Sequence, residues 1–373
     1  MTVAVLKTCE AVRDIAPEWT ALLRRSHRRE FWMTPEWFSC SCRAFHRLDR
    51  PYIVVVRQDN GTLLAIAPLV ITRRLYRGIP LDRIGFPTNE QNPANDFIIA
   101  GDAYERCLTE IMEHLCQFRE WNFIELQMIE EASPVAEFLN RYLKGSKSLY
   151  GTKPNRVSPY IDLQGDWDSF WSQKSKRFKK SMRNKLNHAQ RLGYEVHKTP
   201  IPDKEAPQMA DMLRVSTNSW KREQGTDLGS RQDNWAFYQA LCQELGQGGH
   251  VFLWTLKVDN AVVAFEFHVE NEGTVYPLRA DYDESYRDLS PGSILEYEIL
   301  RRLFGEGKIK EYNSCGHTYK YLLNWTGSAR AYVNYEIFNS QMLSIALYKF
   351  EYALLDNLRK MQSYQYVKRI IRG

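Results

Sequence analysis

The sequence lacks the residue spacings that mark several common classes of enzyme. It contains no Walker, dinucleotide-binding GxGxxG, HExxH or GxSxG motif, which weakens the ATPase, dehydrogenase, zinc peptidase and α/β-hydrolase interpretations. Its seven cysteines are odd in number and scattered, with neither a zinc-ligand spacing nor a disulfide framework. No metal site is predicted, and the cysteine pattern favours a reducing compartment, so the cytoplasm is the expected location.

A strong surplus of one charge and long hydrophobic runs are also missing. Lys and Arg number 50 against 45 Asp and Glu, which leaves a net charge of +5 over 373 residues. So small a surplus does not indicate nucleic acid or a membrane surface by itself. The N-terminal stretch becomes charged before a long apolar run can form, so neither a signal peptide nor a spanning helix is expected there.

Two similar hairpins suggest that the chain contains a duplicated unit. In the first, 52–57 and 63–72 flank Asp59-Asn60-Gly61, and in the second 250–258 and 262–269 flank Asp259-Asn260. Asn and Gly tolerate the positive φ that tight hairpin turns need, so both stretches predict antiparallel strand pairs. A third strand, 274–280, is expected to extend the second sheet. The pattern predicts two mixed α/β domains with mainly antiparallel sheets flanked by helices.

The position of the boundary between the halves follows from a change in pattern. Helical stripes are predicted over 12–23, 104–115 and 135–142, and a half-buried strand over 124–128. Residues 145–159 are rich in Gly, Ser, Lys and Pro and have no periodicity. We therefore predict domains over 1–155 and 156–373, each of ordinary size for a globular unit.

The stretch from Tyr276 to Trp325 contains most of the candidate chemistry. A strand is predicted to end at Arg279-Ala280-Asp281, and Ser290-Pro291-Gly292-Ser293 to open a helix whose apolar face includes Leu295 and Ile299. The first N–H groups of a helix have no partner within it, and together with the helix dipole they attract anions such as phosphate. An ordinary capped helix is the alternative.

The order of these residues resembles the C-terminal signature of the CelD-like (BioF-like) GNAT acyltransferases, a family related to the Fem-type peptidyltransferases. The matching residues are Arg279 to Tyr282, Tyr286, Pro291-Gly292, Gly316, Tyr319-Lys320 and Trp325, with upstream support from 31–37 and from the basic stretch 175–193. The resemblance implies tandem GNAT-like domains with the active centre in the C-terminal half. It also implies acyl transfer from a thioester or, in the Fem branch, from aminoacyl-tRNA.

The resemblance also suggests a binding site for the donor and the acceptor. Its expected residues are Arg279, Tyr282, Pro291, Gly292, Ser293, Asn313 and Lys320. Arg279 and Lys320 are candidates to neutralise donor phosphates or a substrate carboxylate. The family commonly carries an Asp where this sequence has Asn313, which can form hydrogen bonds but cannot act as a base.

Four residues are candidates for catalysis because transfer to an amine needs a proton acceptor, and the leaving thiolate needs a proton donor. Asp281 is the first choice for the base or for orienting the acceptor, with a turn or helix-capping role as the alternative. Glu266 shares one strand face with His268, so the two either face solvent or form an acid/base pair in a cleft. His317 and Tyr319 are candidates to protonate the leaving group.

Two further segments are predicted to be helical. Residues 170–192 form a basic helix between the halves, in which Lys174 to Arg191 provide eight positive charges with no acid among them. This helix is either a solvated bridge or a footprint for tRNA, nucleotide phosphates or an acidic glycan. The tail over 340–372 has an apolar stripe that indicates packing on the second domain or on another protomer, with peripheral membrane contact as the minor alternative.

Three functions remain after these observations. The first is an N-acyltransferase that moves an acyl group from acyl-CoA or another thioester to an amine of a sugar, a peptide or a biosynthetic intermediate. The second is a Fem-type transferase that uses aminoacyl-tRNA, with the basic helix as its electrostatic platform. The third is a non-catalytic protein of polysaccharide or envelope assembly that keeps the fold, for which Asn313 is the main argument.

Overall fold

The computed structural model describes residues 1–118, 120–146, 148–316 and 318–355. Within them, thirteen strands form one continuous sheet. The strands of the first half of the chain are β1 (Thr2–Leu6), β2 (Arg50–Arg57), β3 (Leu63–Tyr76), β4 (Ile79–Gly85), β5 (Ile98–Ile99), β6 (Phe123–Glu130) and β7 (Leu149–Asp162). Those of the second half are β8 (Tyr194–Pro200), β9 (Val251–Val258), β10 (Ala261–Asn271), β11 (Thr274–Tyr282), β12 (Glu311–Asn313) and β13 (Ala329–Phe338).

Helices cover both faces of this sheet. In the first half they are α1 (Cys9–Asp14), α2 (Ala16–Leu23), α3 (Pro35–Phe45), α4 (Tyr104–Leu115) and α5 (Pro134–Gly145). In the second half they are α6 (Trp167–Ser172), α7 (Lys176–Leu192), α8 (Pro207–Thr217), α9 (Gln232–Leu245), α10 (Pro291–Glu306) and α11 (Met342–Tyr348). The mixed α/β fold predicted from the sequence is therefore confirmed.

The two halves of the sheet have the same internal order. Strands β1 to β4 are antiparallel neighbours and β6 then lies parallel to β4; likewise β8 to β11 are antiparallel neighbours and β12 lies parallel to β11. Both predicted hairpins are present, and Asp259 and Asn260 have the positive φ values, 49° and 63°, of the expected tight turn. This repeated order agrees with a duplicated unit.

The halves exchange their last strands. Strand β13, from the C-terminal end, inserts beside β6, while β7, from the first half, pairs with both β13 and β12. The boundary predicted at 155 falls inside β7, and the aperiodic segment 145–159 forms much of this strand. Main-chain pairing with β13, rather than an alternating sequence pattern, holds this part of the strand, and Pro154 lies beside a register shift that tolerates a missing N–H.

Two large cores position the elements that matter for function. One lies between the sheet and α2, α3, α8 and α9, and it joins the two halves through residues such as Trp37 and Phe237, whose rings are 4.9 Å apart. The other lies under α7 and α10 in the second half. The basic helix α7 therefore packs on α10 at the side of the second half, a different place from the predicted bridge.

The predicted C-terminal helix is only partly described. Helix α11 and a π-helical turn over Lys349–Leu355 pack on the edge of the first half, where Leu347 joins Leu81, Phe123 and Phe338 in a small core. Glu351 in that turn is buried and pairs with Arg77 and Lys153. The rest of the predicted tail, 356–372, lies outside the described residues.

Candidate active site

Strands β11 and β12 separate shortly after they meet. They pair in parallel only at Thr274 with Glu311 and at Val275 with Tyr312. Strand β11 then continues to Tyr282, whereas β12 ends at Asn313. The side of β11 that faces β12 is therefore left without this strand partner over most of its length. Free strand edges are suited to binding extended groups through main-chain hydrogen bonds.

The start of α10 lies next to the end of β11 and contains three predicted binding residues. Pro291 occupies the first turn, Gly292 and Ser293 follow, and Ser290 before them has a left-handed backbone with φ of 57°. Lys185 on α7 donates a hydrogen bond of 3.0 Å from Nζ to Ser293 Oγ. An ammonium group is thus added to a helix start that already favours anions. Burial lowers the pKa of Lys185, and the charge of Glu296 opposes this shift.

A pair of buried carboxyl groups lies beneath this helix. Glu266 comes from β10 and Glu296 from α10, and both are almost fully buried. Tyr312 donates a hydrogen bond of 3.2 Å to Glu266, and the Trp325 indole donates one of 2.7 Å to Glu296. Burial raises the pKa of both carboxyls, and the charge of Glu266 adds to the shift at Glu296. Such a pair retains a proton at a pH where ordinary glutamates have lost it.

His268 completes this cluster. Its Nε2 is 2.8 Å from Glu266 Oε2, and burial lowers the pKa of the imidazole to about 3. The ring is therefore neutral at physiological pH, and one hydrogen bond joins it to the Glu266 carboxyl. Of the two arrangements predicted for this strand face, the structure shows the buried pair, because α10 covers the face that alternation alone left open to solvent.

Asp281 lies on the opposite face of the sheet from Glu266. In the β10–β11 register Asp281 faces Phe265, whereas Glu266 faces Ala280, and adjacent positions on a strand point to opposite sides. Asp281 Oδ2 is 2.8 Å from Arg279 Nε and accepts a 2.6 Å hydrogen bond from the Ser216 hydroxyl. Lys221 pairs with the other carboxylate oxygen. Asp281, which the sequence predicted as the base, therefore does not lie with the buried carboxyl pair.

The remaining predicted site residues lie in different surroundings. Asn313 is buried, accepts a hydrogen bond of 3.1 Å from the Cys315 N–H and donates one of 3.2 Å to Glu311. Tyr282 is half-buried, and burial together with Glu284 raises the pKa of its hydroxyl. Tyr319 and Lys320 are exposed. His317 lies outside the described residues.

Sequence reasoning missed Glu296 and Tyr321. Glu296 stands among the apolar residues of α10, and a carboxyl on a buried helix face was the available signal. The ring of Tyr321 is 54% exposed and stacks on Tyr319, with centroids 5.9 Å apart. Burial of its hydroxyl and the charges of Glu296 and Glu266 raise the pKa of Tyr321. Tyr321 is therefore a surface residue whose hydroxyl responds to the charges of the buried carboxyl pair.

Comparisons with known proteins agree with this description. Residues 176–321 match the family model described as "Acetyltransferase (GNAT) domain". The fold is similar to that of FemX, with a TM-score of 0.58 and 12% identity over 93% of this chain and 100% of that one. It is also similar to L-PGS from Bacillus licheniformis, with a TM-score of 0.53 and 12% identity over 89% of this chain and 94% of that one. At such identities the likeness concerns the fold.

Three further findings concern related proteins, metal sites and membrane-spanning helices. No curated protein matches the sequence. Among the described residues, no group of His, Cys, Asp and Glu side chains is arranged to hold a metal ion. Within the same part of the chain, the helices are too short or too polar to cross a membrane.

Proposed function

We propose that this chain, which carries a GNAT acetyltransferase domain over residues 176–321, transfers an acyl group from a thioester to an amine, with acyl-CoA as the donor. The observation that carries the proposal is the Glu266–Glu296 pair, which lies beside the gap between β11 and β12 and beneath the start of α10. The gap suits an extended thioester arm, the helix start suits its phosphates, and the carboxyl pair suits a proton acceptor.

The proposed reaction proceeds by direct attack. The acceptor ammonium gives one proton to the Glu266–Glu296 pair, which acts as a base in the form in which one of its carboxyls is ionised. The free amine then attacks the thioester carbonyl, and a C–N bond forms in a tetrahedral adduct. Collapse of this adduct breaks the C–S bond. The leaving sulfur takes a proton from the hydroxyl of Tyr319 or Tyr321, whose rings are stacked, and the nitrogen gives its second proton to the same tyrosine oxygen, which restores the hydroxyl.

Two features support this assignment of the proton acceptor. A base works best when its pKa lies near the operating pH, and burial shifts both glutamates upward from their ordinary range. Asp281, in contrast, already bonds to Arg279, Lys221 and Ser216. We assign Asp281 a positioning role, in which it holds Arg279 and Lys221 at the end of β11.

A second donor, aminoacyl-tRNA, is favoured by one specific observation. Helix α7 has no acidic residue, and several of its basic side chains are exposed: Lys176, Arg177, Lys180, Arg183 and Arg191. Such a row of cations would bind phosphates in a salt-dependent manner. The cytoplasm is the expected compartment for either donor.

Binding of the donor distinguishes the two candidates. We expect acetyl-CoA and longer acyl-CoA thioesters to raise the Tm of the protein, and native mass spectrometry to show a one-to-one complex. Reversal of Arg177, Lys180 and Arg183 to Glu is expected to leave this complex intact. Salt-sensitive binding of charged tRNA that the reversals abolish, without binding of any CoA thioester, would replace acyl-CoA by tRNA as the donor.

A further inference from the structure

The free edge of β11 carries an ammonium group that the proposed reaction does not use. In an antiparallel pair, the main-chain groups of successive residues point alternately to the partner strand and away from it. Asp283 points to β10, because its N–H donates to the Val263 carbonyl, and Asp281 therefore does so too. Ala280 has the opposite phase, so its carbonyl points into the gap that β12 leaves. Lys221 Nζ donates a hydrogen bond of 2.8 Å to this carbonyl oxygen.

The connection between α8 and α9 holds Lys221 at this edge. A short turn over Trp220–Arg222 follows α8, and the Lys221 carbonyl accepts a hydrogen bond of 3.0 Å from the Thr226 N–H. The Thr226 carbonyl in turn accepts one of 3.0 Å from Arg279 Nη2. The turn is therefore tied to β11, and the ammonium group is held against the edge of the strand.

The charges around Lys221 do not balance. Lys221 and Arg279 share the carboxylate of Asp281, each bonding to a different oxygen. Burial lowers the pKa of Lys221; the charge of Asp281 opposes this shift, and that of Arg279 adds to it. Two cations thus face one carboxylate, and a buried charge without a counter-ion is costly. One further monoanion would complete the set.

Both cations also have unused hydrogen-bond donors. Lys221 Nζ has three N–H groups and bonds to Ala280 and Asp281. Arg279 donates through Nε and Nη2, and its Nη1 has no partner among the described residues. The side chains of Lys221 and Arg279 are 23% and 8% exposed, so a ligand can reach them. A carboxylate fits this arrangement, because it offers two acceptor oxygens and a single negative charge.

We propose that Lys221 and Arg279 bind a carboxylate group of the acceptor, so that the acceptor is an amino acid or another amine that carries a carboxylate. This inference rests on the proposed function. The carboxyl pair and α10 lie on one face of the sheet, Arg279 and Asp281 lie on the other, and the gap beside β11 lies between them. A donor bound at the start of α10 leaves the opposite face to the acceptor, whose ammonium group reaches the carboxyl pair through the gap.

Matched acids and carboxamides test the class of acceptor. The probes are the standard L-amino acids and the ω-amino acids from β-alanine to 6-aminohexanoate, each with its carboxamide, which keeps the shape and removes the charge. Release of CoA from acetyl-CoA by the full chain measures transfer. We expect kcat/KM for the best acid to exceed that for its carboxamide about tenfold or more, the effect of a charge-assisted hydrogen bond.

Lys221→Gln is expected to lower this preference about tenfold, through a higher KM for the acid, and to leave kcat/KM for the carboxamide unchanged. The glutamine can still bond to Ala280, and the remaining Arg279–Asp281 pair is balanced, so the fold should persist. Arg222→Gln, which removes an exposed cation of the same turn, is the matched control and is expected to retain the preference.

Binding separates failure of this inference from failure of the proposed function. The same probes are added to the full chain together with CoA, and the Tm is measured. An acid that raises the Tm more than its carboxamide, and loses this effect in Lys221→Gln, supports the inference even where no transfer occurs, and the proposed function then fails alone.

Equal effects of acids and carboxamides on Tm and on turnover, including no effect of either, overturn the inference. Transfer to both kinds of probe alike would overturn it and leave the proposed function standing. A preference for the acids that Lys221→Gln retains in full overturns it as well.

Discussion

Glu266 and His268, two residues apart on β10, share one hydrogen bond of 2.8 Å inside the second core. Burial acts on them in opposite directions, since it raises the pKa of the acid and lowers that of the base. Both changes favour the uncharged forms. Glu266 is also linked to Tyr312 by a hydrogen bond, and its charge acts on Glu296 of α10.

Removal of either carboxyl is expected to stop turnover. In Glu266→Gln or Glu296→Gln the proton acceptor is lost, and kcat should fall about 100-fold or more while the KM for the thioester changes little. Glu298→Gln is the matched control, because Glu298 lies on the same helix, is also buried, and pairs with Arg301 and Tyr194 instead. Steady-state kinetics with an amine acceptor measures this. Full activity in both folded variants would remove the pair from the mechanism.

The same carboxyls should make the protein less stable as the pH rises. An unfolded chain loses its glutamate protons near pH 4.3, whereas the folded protein retains those of Glu266 and Glu296 to a higher pH. Over that interval the folded state binds more protons, so the free energy of unfolding decreases with increasing pH. Glu296→Gln removes this contribution, and its Tm relative to the unaltered protein should increase between about pH 5 and pH 9. A difference in Tm between the two proteins that stays constant over this pH range would contradict the raised pKa of Glu296.

Lys185 should affect donor affinity more than the chemical step. Lys185→Gln removes the charge at the start of α10 but can still bond to Ser293, and we expect the Kd for CoA to rise about tenfold, the effect of one charge-assisted hydrogen bond. Lys180→Gln, an exposed lysine on the same helix, is the control and should leave the Kd unchanged. Equal effects of the two substitutions would indicate a diffuse electrostatic contribution instead of a specific contact.

Asp281→Asn is expected mainly to lower the free energy of unfolding of the protein. The substitution leaves the buried Arg279 and the partly exposed Lys221 without their counter-ion, and breaking a buried pair costs about 3–5 kcal/mol. Urea unfolding measures the loss, with the exposed Asp288→Asn as the control. Retained stability together with lost turnover would instead support Asp281 as the base, the role predicted from the sequence.

Local sequence patterns determined most of the secondary structure of this protein. Alternating apolar residues, the Asp-Asn turns and the helical stripes predicted both hairpins, most helices and the mixed α/β class, because each depends on neighbours within a few residues. The resemblance around 279–325 placed the candidate site in the second half, where the GNAT match also falls. The shared strand face of Glu266 and His268 predicts either two solvent-facing residues or an acid/base pair, and does not decide between them.

Long-range packing decided which side chains are buried together and which strands pair. Whether Glu266 faced solvent depended on α10, which follows it by some 25 residues, and Glu296 became its neighbour only when that helix covered the sheet. The exchange of β7 and β13 between the halves left no local pattern, because each strand is held by pairing with strands that lie elsewhere in the sequence. The sequence by itself thus determined which elements form. The tertiary structure decided which charges are buried together, since the cost of burying a charge depends on all the groups that surround it.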